Sequence, residues 1–526
     1  MKFREYAPEQ TWLIPPNIED EIPKDDIVRT FNHVINQIDM GNFERKYTDV
    51  GNIAYHPRLM LKIILYSYQQ GIFSSRKIEQ AAKRNIYYWY LSGKQSPNFR
   101  TICKFINKHQ EEIEETFSQV LWIAQQEGLI NLKTLSIDGS PIKANASKEA
   151  LWDEKRIESE LERLRELATQ TIQKHISIDE MENKLEEAHG QIQSKKKPLD
   201  KKRIEDLLEQ CTNIKNIRKN LTDSHKKKIN TTDSDAVLNG QKGKPKEMCY
   251  HSNIVTEGTH QIIISADIEN TAEHHLIPHH LDFIEKTFST LPEYFLGDSA
   301  YARHETIHYL NAKNIQPVMP EFQIQHIKSG NLPRKYARDL FQPSSFITLS
   351  NSQFVMCPAK QLLKKTGRVS LKGKSPAYRY SNPMACHVCP IRKLCTTGPH
   401  KILSRSIYYD EIKASQDYIK TTEGYELYKK RMGMVEPVFG NIKWNKGFKF
   451  TFRGLSLAKT QFKLACIMHN LEKFAKAKGF AFDLCSFPNI HYNIKHRRIF
   501  LIHIKNYFCD FLKLHFNFRT LFFAFP

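Results

Sequence analysis

The run Thr134-Leu135-Ser136-Ile137 alternates apolar and polar residues like a half-buried strand, halts at Asp138-Gly139-Ser140-Pro141, and has no counterpart until after residue 230. The intervening segment, residues 148–230, is dominated by Glu, Lys, Arg and Gln. Its sparse apolar residues are spaced regularly. Ile157, Leu161, Leu164 and Ala168 step by four, three and four, and Ile204, Leu207, Cys211, Ile214 and Leu221 keep a similar beat beyond Pro198. Such steps line one face of a helix, so the segment predicts an antiparallel helical hairpin inserted into a sheet. Strand character resumes in "MCYHSNIVTEGTHQIIISADIEN", which reads as two strands turning at Glu257-Gly258-Thr259.

A chain of 526 residues has room for three or four structural units at about 150 residues each. Lys and Arg outnumber Asp and Glu by 78 to 57, a formal charge of +21. That excess calls for a polyanionic partner. Ten scattered cysteines and the polar start Met1-Lys2-Phe3-Arg4 fit a reducing, cytoplasmic setting better than secretion. No uncharged apolar run approaches the roughly 20 residues needed to span a bilayer. Even the aromatic tail is broken by Lys505, Asp510, Lys513 and Arg519.

Residues 24–125 read as helices. "HPRLMLKIILYSYQQG" places Leu59, Ile63, Tyr66 and Ile72 near one stripe, with Gly71 as a stop. Ser74 or Ser75 then caps a helix carrying Arg76, Lys77, Lys83 and Arg84, and a third run follows "SPNFRT". Short helices edged with bases suit a helix-turn-helix-like DNA-binding unit; they equally suit a helical packing domain.

Asp138 closes one strand, and in "EYFLGDSAY" Asp298 closes another. A third acid, Glu436, lies in a helical run with Tyr428, Arg431, Lys443 and Arg453 around it. Three carboxylates without His or Cys form a hard-oxygen ligand set suited to Mg²⁺ or Mn²⁺. Two such ions about 4 Å apart serve phosphodiester displacement, with basic neighbours holding the phosphates.

These motifs resemble the DDE transposases of bacterial insertion sequences. The resemblance runs over residues 6–476 through "YHPRLMLKIILYSYQQGIFSSRKIE", "SIDGSPIKANAS", "GDSAY", and "VEPVFGNIK" followed by "RGL". It implies a ribonuclease H-like catalytic domain in which Asp138, Asp298 and Glu436 are the metal-binding triad. It also implies that Tyr428, Arg431 and Lys443 handle terminal phosphates and a flipped base. Four residues separate Arg431 from Glu436, one more than the commonest family spacing, and "CYHSNIV" stands where the family has a Tyr-Asn pair.

Cys357, Cys386, Cys389 and Cys395 follow the spacing C-x28-C-x2-C-x5-C in a Cys-rich segment before Glu436. Four thiolates with one close pair suit structural Zn²⁺; reduced loop thiols and an iron–sulfur cluster are the alternatives. The remaining cysteines and the histidines of "AEHHLIPHHLDF" read as packing residues.

The expected architecture is therefore a multidomain α/β (α+β) protein, with a ribonuclease H-like mixed sheet flanked by helices. Residues 1–128 form an all-α DNA-binding domain, and 129–147, 231–345 and 424–477 the catalytic domain. Residues 148–230 are the hairpin insertion, 346–423 the Cys-rich insertion, and 478–526 a basic aromatic tail. The expected activity is metal-dependent cleavage at insertion-sequence ends and strand transfer into target DNA. Its partners are the terminal inverted repeats, the target DNA and further copies of the chain, with no membrane. An inactive DNA-binding descendant and a nuclease without strand transfer are the rival readings.

Overall fold

The computed structural model describes residues 17–48, 53–189, 201–223, 227–239, 245–270, 276–320, 341, 345–349, 353–371 and 375–478. The tail 478–526, apart from Lys478, and His274 and His275 lie outside the described residues.

A mixed sheet organises the chain. Its strands are β1 (Thr134–Lys143), β4 (Val237–Asn239), β5 (Glu247–Glu257), β6 (Ile263–Glu269), β7 (Tyr294–Leu296) and β8 (Gln316–Val318). The order is β4-β5-β1-β7-β8, with β6 pairing β5 beyond β4 on the side opposite β1. β5 lies antiparallel to both β1 and β6, whereas β7 and β8 run parallel to β1. The short strands β2 (Leu151–Asp153) and β3 (Lys228–Asn230) pair at the base of the insertion. There the helices Glu154–His189 and Lys201–Asp223 bury Ile157, Leu161, Leu164, Leu207, Ile214 and Leu221 between them, a core separate from that of the main body.

The N-terminal helices include Ile27–Gln37, Pro57–Gln69, Ser75–Arg84, Phe99–Lys108 and Gln110–Gln126. Pro57–Gln69 is buried at every position from Leu59 to Tyr68, not on one stripe. A helix apolar all round is a core helix. Gly71 ends it at φ +71°, so Ile72 lies beyond the stop. Ser74 occupies the next cap position without a side-chain hydrogen bond.

The expected boundary at residue 128 falls inside one continuous core. That core joins Phe31, Ile64 and Phe117 to Ile137, Ile254 and Phe295 of the sheet and to Phe462 and Leu471 of the closing helix Leu455–Lys478. The closing helix also satisfies the edge strand β6, which would otherwise present unpaired backbone groups. Asn470 accepts from Ile263 N at 2.8 Å and donates to Ile263 O at 2.9 Å. Lys463 donates to Ala266 O at 2.8 Å.

A second, five-stranded sheet is built from β9 (Ile347–Thr348), β10 (Phe354–Met356), β11 (Leu362–Leu371), β12 (Ser375–Ser381) and β13 (Leu403–Ser406). Its order is β13-β12-β11-β10-β9, around a core of Phe346, Val355, Leu363, Tyr380 and Leu403. No helix among the described residues is long and apolar enough to cross a membrane.

Candidate active site

Thr134, Leu135 and Ser136 of β1 pair in parallel with Tyr294, Phe295 and Leu296 of β7. Asp138 and Asp298 each lie two residues past the last pair, Ser136 and Leu296, so the two acids stand level on neighbouring strands. Gly297 permits this closeness. A Cβ there would meet Met319 Cε at 3.1 Å and Ile137 Cγ2 at 3.3 Å, tighter than ordinary side-chain contacts. Asp298 Oδ1 accepts from Ala300 N at 2.8 Å, which turns the chain towards the helix His304–Ala312.

The helix Thr422–Gly440 covers this part of the sheet, packing Met434 and Val435 with Leu296 and Val318. Thr421 caps it by accepting from Gly424 N at 3.1 Å. From its buried face Arg431 reaches to 3.9 Å from Asp138 Oδ1. Its Nε and Nη1 are buried without a hydrogen-bond partner. Buried guanidinium donors left in this state are costly. Burial raises the Tyr428 phenol pKa, Arg431 opposes that shift, and Asp298 and Asp138 add to it. These four groups therefore share one neighbourhood.

Glu436 lies five residues after Arg431, about 140° around the helix, on its exposed flank. Among the described residues no three His, Cys, Asp or Glu side chains stand in metal-ligand arrangement. Past the helix end, Asn441–Asn445 forms a π-helical turn, and Lys443 Nζ donates to Ser140 Oγ and Pro141 O, both at 2.8 Å. Arg453 is exposed and donates from Nε to Asn145 O at 3.2 Å. The structure thus gathers Asp138, Asp298, Tyr428 and Arg431, brings Lys443 to the same strand, and leaves Glu436 at the rim.

Two family matches bear on this arrangement. Residues 16–108 match a family described as a transposase domain, and residues 356–475 match the transposase DDE domain family. The chain is a DDE transposase of the insertion-sequence type. No curated protein matches it significantly. The DDE match covers Tyr428, Arg431, Glu436 and Lys443, and it implies a metal-dependent enzyme of DNA transposition.

Arg76, Lys77, Lys83 and Arg84 of the transposase are exposed on Ser75–Arg84. Arg76 lies over the Phe99 ring at 5.0 Å, and Lys83 pairs with Glu79 at 2.6 Å. Cys357, Cys386, Cys389 and Cys395 line one pocket together with Phe341, Leu363 and Ile391. All four are free thiols, and burial raises the Cys395 pKa.

Sequence reasoning passed over a set of supporting residues. Asn441 donates to Glu472 Oε2 at 2.7 Å, and Lys446 pairs with Glu472 Oε1 at 2.5 Å and donates to Gln69 O at 2.6 Å. Tyr301 of "GDSAY" is buried and donates to Asn253 Oδ1 at 2.8 Å, which ties the turn after Asp298 to β5. Glu472 is the single acid of Leu455–Lys478, a helix that carries five lysines, and that was the available signal for it.

Proposed function

We propose that the transposase cuts and joins DNA at the centre marked by Asp138 and Asp298, with Glu436 completing an oxygen ligand set for Mg²⁺ or Mn²⁺. The observation that carries this reading is the level placement of the two acids beside the unbonded guanidinium donors of Arg431. An all-carboxylate donor set fits hard divalent ions. Such ions, when bound, activate the attacking oxygen and neutralise charge on the leaving one. The antiparallel β6-β5-β1 strands extended by parallel β7 and β8 support a ribonuclease H-like core.

Arg431 directs its free donors at the non-bridging oxygens of the scissile phosphate, and Tyr428 orients the terminal nucleotide. Lys443, held at rest by Ser140 and Pro141, supplies a further positive charge on the same strand. Cleavage proceeds by attack of water on phosphorus, breaking the bond to the 3′ oxygen and leaving a 3′ hydroxyl and a 5′ phosphate. Joining repeats the displacement. The 3′ oxygen attacks a target phosphorus, its proton goes to solvent, and the displaced target 3′ oxygen takes one up.

Zn²⁺ suits the four thiols of the Cys-rich pocket, where it would tie Pro383–His387 and Arg392–Cys395 to the end of β10. Exposed Arg76, Lys77, Lys83, Arg84 and Arg453 contact DNA, and two copies act together because an element has two ends. The test is cleavage of a donor plasmid in Mg²⁺ or Mn²⁺ by purified protein. Asp138→Ala, Asp298→Ala and Glu436→Ala should each abolish cleavage and leave DNA binding largely intact, since affinity comes mainly from phosphate contacts elsewhere. A wild-type protein that binds element ends but never cuts them overturns the enzymatic reading in favour of an inactive descendant.

A further inference from the structure

Residues 340–409 contain eleven Lys or Arg and no Asp or Glu, and residues 57–110 contain ten Lys or Arg against the single Glu79. Almost all of the formal +21 therefore arises in two places. The second is the N-terminal helix set. The first is the five-stranded Cys-rich lobe, for which cleavage and joining supply no partner.

The lobe separates β8 from the helix Tyr409–Lys420, which packs back on the end of β8. There Ser415 Oγ donates to Pro317 O at 3.2 Å and Gln416 Nε2 to Met319 O at 3.0 Å. The lobe is thus rooted beside the strand pair that carries Asp298. On its β11–β12 hairpin Lys364, Arg368 and Arg379 are exposed, and Lys365 is half-buried. Lys365 Nζ sits 3.2 Å from the centroid of the Tyr378 ring, and Arg368 lies 5.8 Å from it. Hydrogen bonds from Arg368 and Lys365 hold the Tyr378 phenol below its ordinary pKa.

Some lysines elsewhere on the molecule pair with carboxylates: Lys143 meets Glu247 at 2.6 Å and Lys313 meets Glu285 at 2.8 Å. Among the described residues no carboxylate pairs with Lys364, Lys365, Arg368 or Arg379, and residues 340–409 contain none to offer. Like charges crowded on one hairpin destabilise it unless an anion joins them.

We propose that the β11–β12 hairpin is a second DNA-docking surface, gripping the phosphate backbone of duplex DNA irrespective of sequence. Lys365 and Arg368 flank Tyr378, so the phosphates meet two cations and the ring lies flat against the sugar edge. This rests on the transposase reading for the identity of the polyanion.

The experiment uses the full chain and a random-sequence duplex, measuring affinity over a salt series. Lys364→Gln, Lys365→Gln, Arg368→Gln and Arg379→Gln combined should reduce the slope of log affinity against log salt by roughly 3.6, at about 0.9 for each of the four phosphates no longer neutralised. A control combining Lys133→Gln, Lys228→Gln, Lys313→Gln and Lys420→Gln removes the same charge from paired sites and should shift the slope by less than about 1. A charge-conserving set, Lys364→Arg, Lys365→Arg, Arg368→Lys and Arg379→Lys, should bind like wild type. An unchanged slope in the first set, an equal reduction in the control, or weakened binding in the conserving set overturns the docking surface. Cleavage by wild-type protein reports separately on the catalytic reading, so either can fail alone.

Discussion

Lys443 Nζ donates to Ser140 Oγ at 2.8 Å, two residues beyond Asp138 on the same strand. The lysine is delivered by a π-helical turn that is itself anchored. Asn441 bonds Glu472 at 2.7 Å and lies 3.1 Å from His469 Nδ1, and Lys446 closes the turn onto Glu472. A cation held this way loses little freedom when a phosphate arrives.

Lys443→Ala should lower single-turnover cleavage by about 10²–10³, the range for deleting one preorganised charge-stabilising donor. Ser140→Ala removes only its resting acceptor and should change the rate by less than about tenfold. Equal losses in the two variants would mean that Lys443 serves β1 and not the phosphate.

Arg431 invites a different comparison. Its Nε and Nη1 are buried without hydrogen-bond partners, so Arg431→Met should leave the melting temperature unchanged or raise it, because removing an unsatisfied buried donor relieves a penalty of about 1–3 kcal/mol. Cleavage should fall at least about 10²-fold. A variant that melts well below wild type would show that the guanidinium is a packing element.

Glu472 is buried and receives both Asn441 and Lys446. Glu472→Ala leaves the Lys446 ammonium without its partner and should cost about 3–5 kcal/mol, measured by urea unfolding. Glu472→Gln keeps an acceptor for Asn441 and should cost less.

His280 and His469 are fully buried, and burial lowers both pKa values to about 3. His469 accepts from Asn441 at Nδ1 and donates from Nε2 to Gln261 O, as a neutral ring does. Below pH 6.5 the unfolded chain takes up protons that the folded chain does not. Stability is therefore complete above pH 6.5 and is lost as the pH falls towards 3, by about 2 kcal/mol per histidine at pH 5. His469→Gln should flatten that limb in unfolding titrations; an unaltered pH dependence would contradict the assignment.

If the thiols hold zinc, purified protein should carry about one Zn²⁺ per chain, and Cys386→Ser should lower zinc content and thermal stability together. Elemental analysis finding no zinc in chelator-free preparations would leave four reduced thiols.

The sequence by itself determined whatever local period or composition encodes. The alternation at Thr134–Ile137 marks a strand, the steps from Ile157 to Leu221 mark the faces that two helices bury against each other, and the absence of acids in residues 340–409 fixes the charge of that lobe. Asp298 just past the end of β7 was equally legible, but Asp138, read as the end of its strand, lies inside β1, which runs on through Gly139, Ser140 and Pro141 to Lys143 because β5 pairs with it along that whole length. Three matters were decided only by tertiary structure. The pairing of β1 with β7 places Asp138 level with Asp298, because distant strands choose neighbours by which faces bury together. The rotation of Thr422–Gly440 turns Arg431 inward and Glu436 to the rim, since the one extra residue between them shifts the angle by about 100°. The N-terminal helices read as a domain of their own, yet the apolar surface of Leu455–Lys478, more than three hundred residues on, completes their core. Hydrophobic burial is non-directional and blind to sequence separation, so no local pattern announces that partner.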